Sequence, residues 1–251
     1  MLQYAELIRI LTIRDFRLRY QNSILGFLWS LLNPLAMMII LWVVFAILVG
    51  SAIKNFPLFI LPTILAYRFF QIGTGLGLWS IVNNASLVTR VYFPRWLLVL
   101  SSNLANLLGT SLEFAVMFPV LLLLGMKLEW TIVLVPALLA IEFALILGTS
   151  LFLAALNVRY RDLSQVWDIT LQLGFYLSPI LYDVASIPQR FLLPYSLNPM
   201  AGILVSFRKA LYYGTVPNAF DLALPVAICG VMILLGTVVF RRLEPRFAEE
   251  V

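Results

Sequence analysis

Long apolar runs separated by short polar breaks dominate the chain. A helix needs about 20 mostly apolar residues to cross a hydrocarbon core of about 30 Å. Apolar windows read against breakers predict crossing helices over 31–50, 56–82, 96–125, 130–156, 163–182 and 222–240. An even number of crossings returns both termini to one side. On this assignment Arg9, Arg14, Arg17, Arg19, Arg90, Arg95, Arg159, Arg161, Arg241, Arg242 and Arg246 share one face, against Lys54, Lys127, Arg190, Arg208 and Lys209 opposite. The excess of basic residues on the first face predicts cytoplasmic termini.

Before the first run, Tyr4, Leu7, Leu11 and Leu18 recur on one helical stripe, interrupted by Arg14 and Asp15. This pattern predicts an imperfect amphipathic helix lying in the membrane interface. Leu25-Gly26-Phe27-Leu28-Trp29 and Asn33-Pro34 then suit a bend from the surface into the bilayer. Residues 183–220 are too apolar for an ordinary loop, yet prolines at 188, 194, 199 and 217 forbid one continuous helix. A pair of short re-entrant helices between spans five and six is expected. No internal repeat or low-complexity linker is visible, so the expected organisation is an interface helix and membrane approach over 1–30 and one membrane domain over 31–251. The predicted fold class is all-α integral membrane, with six transmembrane helices.

Composition agrees with that pattern. With 62% hydrophobic and 12% charged residues, too little polar surface exists to cover a soluble globule. The net charge of +5 is dispersed between apolar blocks and forms no continuous stripe, which argues against nucleic acid as a partner. A single cysteine, Cys229, allows no disulfide framework, and the absence of histidine removes the commonest metal ligand and general base. Glu6, Arg9, Arg14, Asp15, Arg17 and Arg19 precede any long apolar core, unlike a cleavable signal peptide. A retained amino terminus is expected.

No Gly-x-x-x-x-Gly-Lys-Ser/Thr loop occurs, so this chain is not expected to be an ATP-hydrolysing enzyme or to hold a cofactor of its own. Glu113 and Glu142 lie within predicted spans and admit two readings: a proton or cation relay, or carboxyls hydrogen-bonded or protonated between packed helices. Arg68 is read as an anchor that snorkels toward the headgroups. The fifth span is the most polar, with Gln165, Asp168 and Gln172, and Gly174, Ser178 and Pro179 weaken its end. Weak helices beside re-entrant segments are where membrane cavities form, because irregular backbone is tolerated only there. Phe175 and Tyr182 are seven residues apart and Asp168 seven residues earlier, which on one helix gives nearly one face. The first and fifth spans are therefore expected to wall a conduit, with Trp42, Phe45, Asp168, Phe175, Tyr176 and Tyr182 among its lining. Arg90, Tyr92, Phe93 and Arg95, a short basic loop with two aromatics, suit docking into a cleft on a soluble partner.

Arg19-Tyr20, Ser23 with Leu25-Gly26, Trp29 and Asn33-Pro34 together resemble the first motif of type-2 ABC exporter membrane subunits, particularly those exporting O-antigen, capsule and teichoic-acid polymers. Further matches follow in order: Asn84-Ala85-Ser86-Leu87-Val88 with Val91-Tyr92-Phe93-Pro94-Arg95, then Asn157-Val158-Arg159-Tyr160-Arg161-Asp162-Leu163. Ser178-Pro179-Ile180, Asn198-Pro199-Met200 and Phe207-Arg208 resemble the family's external segment, and Arg241-Arg242, Glu244 and Phe247-Ala248 its tail. The resemblance implies a permease in a bacterial cytoplasmic (inner) membrane, paired with a second copy of itself. It also implies two separate ATPase subunits, which carry ATP and Mg, and a lipid-linked glycan as cargo moved outward through membrane lipid. The coupling helix would lie in 83–95. Two alternatives stay open: an ABC exporter of a drug or lipid, and an ATPase-independent transporter or channel using Glu113 and Glu142.

Overall fold

The computed structural model describes residues 4–21, 26–51 and 53–250. Ser23 and Leu25 of the first motif lie outside the described residues. Among those described, the chain is a bundle of helices: α1 (Ala5–Tyr20), α2 (Leu28–Trp42, continued as a π-helical turn over Val43–Leu48), α3 (Phe56–Trp79), α4 (Ala85–Arg90), α5 (Trp96–Leu123) and α6 (Val135–Asn157). These are followed by α7 (Leu163–Leu177), α8 (Gln189–Ser196), α9 (Pro199–Arg208), α10 (Ala219–Leu243) and the short α11 (Phe247–Glu250).

Among the described residues, five stretches are long and apolar enough to cross a membrane: Leu28–Leu48, Phe56–Trp79, Trp96–Leu123, Trp130–Asn157 and Ala219–Arg246. The sixth expected span is not among them. α7 has 15 residues, a rise of about 22 Å, and carries Gln165, Asp168 and Gln172. It stops at Leu177 because Ser178 precedes Pro179, and the proline ring drives Ser178 into extended backbone, at φ −91° and ψ 153°. Tyr182 is consequently off the helix, and the seven-residue register between Phe175 and Tyr182 does not make one face.

α3 and α6 form the centre. Their contact, and that of α6 with α10, is set by small residues that let backbones approach closely. A Cβ on Gly148 would lie 2.6 Å from the Ile233 backbone nitrogen, and one on Gly236 would lie 2.3 Å from the Gly148 carbonyl oxygen. Neither helix can retreat without losing this contact. A large core of Phe56, Phe59, Ile64, Leu65, Phe69, Ile146 and Phe207 surrounds α3. A smaller core joins the two ends of the chain: Leu11 of α1, Val88 of α4, Phe93, Leu97 of α5, Phe240 of α10 and Phe247.

At the opposite end, α8 and α9 occupy residues 189–208, where short helices were expected. α9 is buried in protein, with Ile203, Leu204 and Phe207 fully enclosed against its neighbours. The Asn198 side chain caps it by accepting from the Met200 N–H at 3.0 Å and donates to Ser178 Oγ at 3.0 Å. Arg208, 2% exposed, donates to the carbonyls of Pro179, Ile180 and Tyr182 and lies 3.7 Å from the centre of the Phe59 ring. These bonds hold the turn that leaves α7. Burial alone would raise the Asp183 carboxyl, but hydrogen bonds from Tyr213 Oη and the Ala185 N–H, with Arg208 nearby, hold it below its ordinary range.

Substituting Gly148 or Gly236 by leucine should destabilise the protein by about 1–3 kcal/mol, the usual cost of forced overpacking. Gly230→Ala, where an added Cβ meets nothing within 4 Å, should leave the melting temperature unchanged or raise it. Thermal unfolding in detergent, followed by tryptophan fluorescence, distinguishes the two classes.

Candidate functional site

α7 runs antiparallel to α3 and is stitched to it by polar side chains. Tyr67 Oη donates to the Leu171 carbonyl, and the Trp167 indole N–H donates to Thr74 Oγ1 at 3.0 Å. Thr74 itself donates to the Phe70 carbonyl, so its hydroxyl is oriented to receive the indole. The rings of Tyr67 and Phe175 meet edge to face at 5.5 Å. Only Leu171 of α7 is buried, which leaves most of the helix uncovered.

Between α2, α3 and α7 opens a cleft of about 440 Å³. α2 contributes Asn33 and Met37, α3 contributes Ile64, Tyr67, Arg68 and Gln71, and α7 contributes Asp168, Leu171, Gln172, Phe175 and Tyr176. The lining thus mixes two charges, three carboxamides and three aromatic rings. Arg68 lies twelve residues from Phe56 and eleven from Trp79, the two ends of α3. That is about 18 Å along the helix from Phe56, farther than its side chain reaches, so the snorkelling anchor expected from the sequence is not what forms. Instead Nη1 donates to Asn33 Oδ1 at 2.8 Å, tying α3 to α2 across the cleft.

Behind Arg68 sits a second polar layer. Arg19 Nη1 of α1 donates to Asn106 Oδ1 of α5 at 3.0 Å, and the Asn106 amide donates to the Phe69 carbonyl. Glu113, 2% exposed, lies within electrostatic reach of Arg68 first and Arg19 second. Glu142, completely buried, faces α3 near the Phe70 backbone. Neither carboxyl lines the cleft.

The residues expected at the conduit wall are distributed over three places. Asp168, Phe175 and Tyr176 share the cleft, as one helical face requires. Trp42 edges a separate groove with Met38 and Phe56, and Phe45 stacks on Phe56 at 6.1 Å. Tyr182 borders another cavity, of about 870 Å³, with Leu173, Leu177, Phe191 and Tyr195, and donates to the Leu177 carbonyl at 3.0 Å. Asn33, Tyr67, Arg68 and Gln71 were not expected there. A lone arginine in an apolar span was the one signal available, since such a charge is costly and rarely idle.

The four residues expected at a partner contact also separate. Arg90 is exposed and Tyr92 fully so, whereas Phe93 is buried in the smaller core and Arg95 is half-buried against the tail. Arg90 and Tyr92 form the accessible tip, and Phe93 is its root.

Several bilayer-length helices, two of which line a polar cleft beside α7, are the architecture of a multi-pass membrane protein. Residues 6–212 match the ABC-2 type transporter family, and the chain belongs to it. It is 31% identical to the O-antigen export system permease protein RfbA of Myxococcus xanthus, over 99% of this chain and 96% of that protein. It is 28% identical to the protein of the same name from Klebsiella pneumoniae, over 97% and 94%. To the polysialic acid transport protein KpsM of Escherichia coli it is 22% identical, over 94% and 93%.

Phe93→Ala should cost about 3 kcal/mol of stability, as truncation of a buried phenylalanine does, while Tyr92→Ala should stay within about 0.5 kcal/mol of the parent. Thermal melts of the two purified variants read this difference.

Proposed function

We propose that this chain is the permease subunit of an ATP-driven exporter that carries a lipid-linked polysaccharide across the bacterial cytoplasmic membrane. The observation that carries this reading is the cleft of α2, α3 and α7, in a chain aligned over nearly its whole length with polysaccharide export permeases. A glycan is hydroxyl-rich and presents apolar C–H faces. Gln71, Gln172, Asp168 and Asn33 offer donors and acceptors to hydroxyls, and Phe175 and Tyr176 offer ring faces. The two carboxyls that a proton-coupled carrier would use, Glu113 and Glu142, are buried away from the cleft.

One chain builds only part of the path. α2 leaves Ile39, Ile40 and Ile47 exposed, and α7 leaves Val166, Ile169 and Leu173 exposed. A second copy of the chain closes the cleft against these faces. Energy comes from two separate ATPase subunits that bind ATP and Mg, since this sequence has no phosphate-binding loop. They dock at the tip formed by Arg90 and Tyr92, which puts both chain ends in the cytoplasm.

The purified chain alone should show no ATP hydrolysis and should gain it when co-expressed with its ATPase subunit. Tyr176→Ala and Phe175→Ala should each lower surface polysaccharide about tenfold, equivalent to about 1.4 kcal/mol and near the upper range of one ring contact. Assembly with the ATPase, measured by co-purification, should be unchanged. Export at parental rates in both variants, or ATPase stimulation by small hydrophobic compounds and not by glycan, would overturn the polysaccharide reading.

A further inference from the structure

The tail that follows α10 makes a contact no part of the proposed function uses. Glu244 Oε1 accepts the backbone N–H of Arg95 at 3.0 Å, and the Glu244 carbonyl accepts from Arg95 Nη1 at 3.2 Å. Arg95 is the residue that opens α5. The first turn of α5 carries no acid of its own, so the tail supplies the negative charge that a helix start favours. Three residues on, Phe247 is buried and packs edge to face on Phe240 at 5.2 Å, in the same small core as Phe93. The tail is therefore folded back under the loop of residues 83–95.

The other end of the chain grips the start of that loop. Arg14 Nη2 of α1 donates to Asn84 Oδ1 at 2.9 Å, while two further bonds to Asp15 fix the guanidinium. Asn84 in turn donates to the Ser80 carbonyl at the end of α3. The loop is thus held at Asn84 by the first helix and at Arg95 by the last, and Thr89–Tyr92 is its longest exposed run.

We infer that Glu244 is a positioning residue for energy coupling: through Arg95 it makes the partner-facing loop a rigid strut, so that displacement of the tip is delivered to α5 and α10. This rests on the reading of the loop as the ATPase contact. A loop with one end loose would absorb the same displacement by local bending. Glu244 touches neither cargo nor nucleotide, and its effect passes wholly through Arg95.

The test uses the full permease–ATPase complex in membranes, with the exposed Thr89→Cys as a reporter; the native Cys229 is buried and does not compete for label. In this background Glu244→Ala should raise spin-label mobility at position 89 and lower polysaccharide exported per ATP hydrolysed by roughly threefold or more, within the range of a lost charge at a helix start. Hydrolysis itself should persist. Glu244→Gln, whose carboxamide oxygen still accepts the Arg95 N–H, should recover most of the export ratio. Arg95→Met, which keeps the backbone bond and loses the side-chain bond, should shift both readouts in the same direction by less, and it replaces Glu244→Ala if that variant fails to accumulate. If a crosslinker on Thr89→Cys never reaches the ATPase with Glu244 intact, the docking reading falls. If it does reach, yet label mobility and export per ATP are unchanged on losing the Glu244–Arg95 bonds, the strut alone is refuted.

Discussion

The close backbone contact of α6 with α10 is the constraint on which the remaining architecture rests. In a hydrocarbon surrounding, apolar side chains gain little by leaving lipid for protein, so helix association depends on dense packing and on hydrogen bonds between helices. Gly148 and Gly236 give that density at the α6–α10 crossing, and α3 packs on the other side of α6, where Gly77 approaches Ser150. Close approach removes freedom to slide, because a backbone seated against another has no side-chain layer to deform. The trio α3, α6 and α10 is a fixed frame, and α2, α7 and α8 hang on it by fewer contacts.

Two arginines packed against that frame are held in different ways. Arg208 is enclosed by carbonyl oxygens of the turn after α7 and holds that turn, which makes its truncation costly. Arg68 keeps one bond to a carboxamide, has Glu113 in its electrostatic surroundings, and still borders open space. A cation halfway along a bilayer-length helix costs several kcal/mol unless partners or water accompany it. Its presence beside a cleft is intelligible when the cleft is wet, as the proposed path of a hydroxyl-rich polymer would be.

The long helices were legible in the sequence because length and apolarity alone specify them. The expected runs 96–125 and 130–156 end within two residues of the observed stretches Trp96–Leu123 and Trp130–Asn157. α7 was less legible. Its apolar residues continue past Ser178, and nothing in composition says that Pro179 ends the helix instead of bending it. Of the face expected from Asp168, Phe175 and Tyr182, the first two were readable from helical period, which holds within one element. Arg68 with Asn33, and Arg95 with Glu244, were not readable, since partners 35 and 149 residues apart leave no trace in local spacing.

On the proposed function, the distribution of packing also decides which parts move. Segments that open a path come from the weakly packed end of a structure's stability range. α7 has one buried residue, while α3 is buried along most of its length. Its attachments to α3 include two side-chain hydrogen bonds, from Tyr67 and Trp167, and the ring contacts of Tyr67 with Phe175 and of Phe70 with Trp167. Such bonds are individually modest, so α7 can part from α3 without unfolding either helix. Its far end is different, because Arg208 and Asn198 clamp the turn at Ser178–Tyr182 to α9. A helix lightly attached along its length and clamped most firmly at one end pivots there. Pivoting about Ser178 would widen the cleft most at Asp168, the end nearer the loop where the ATPase would push, and least at Tyr176.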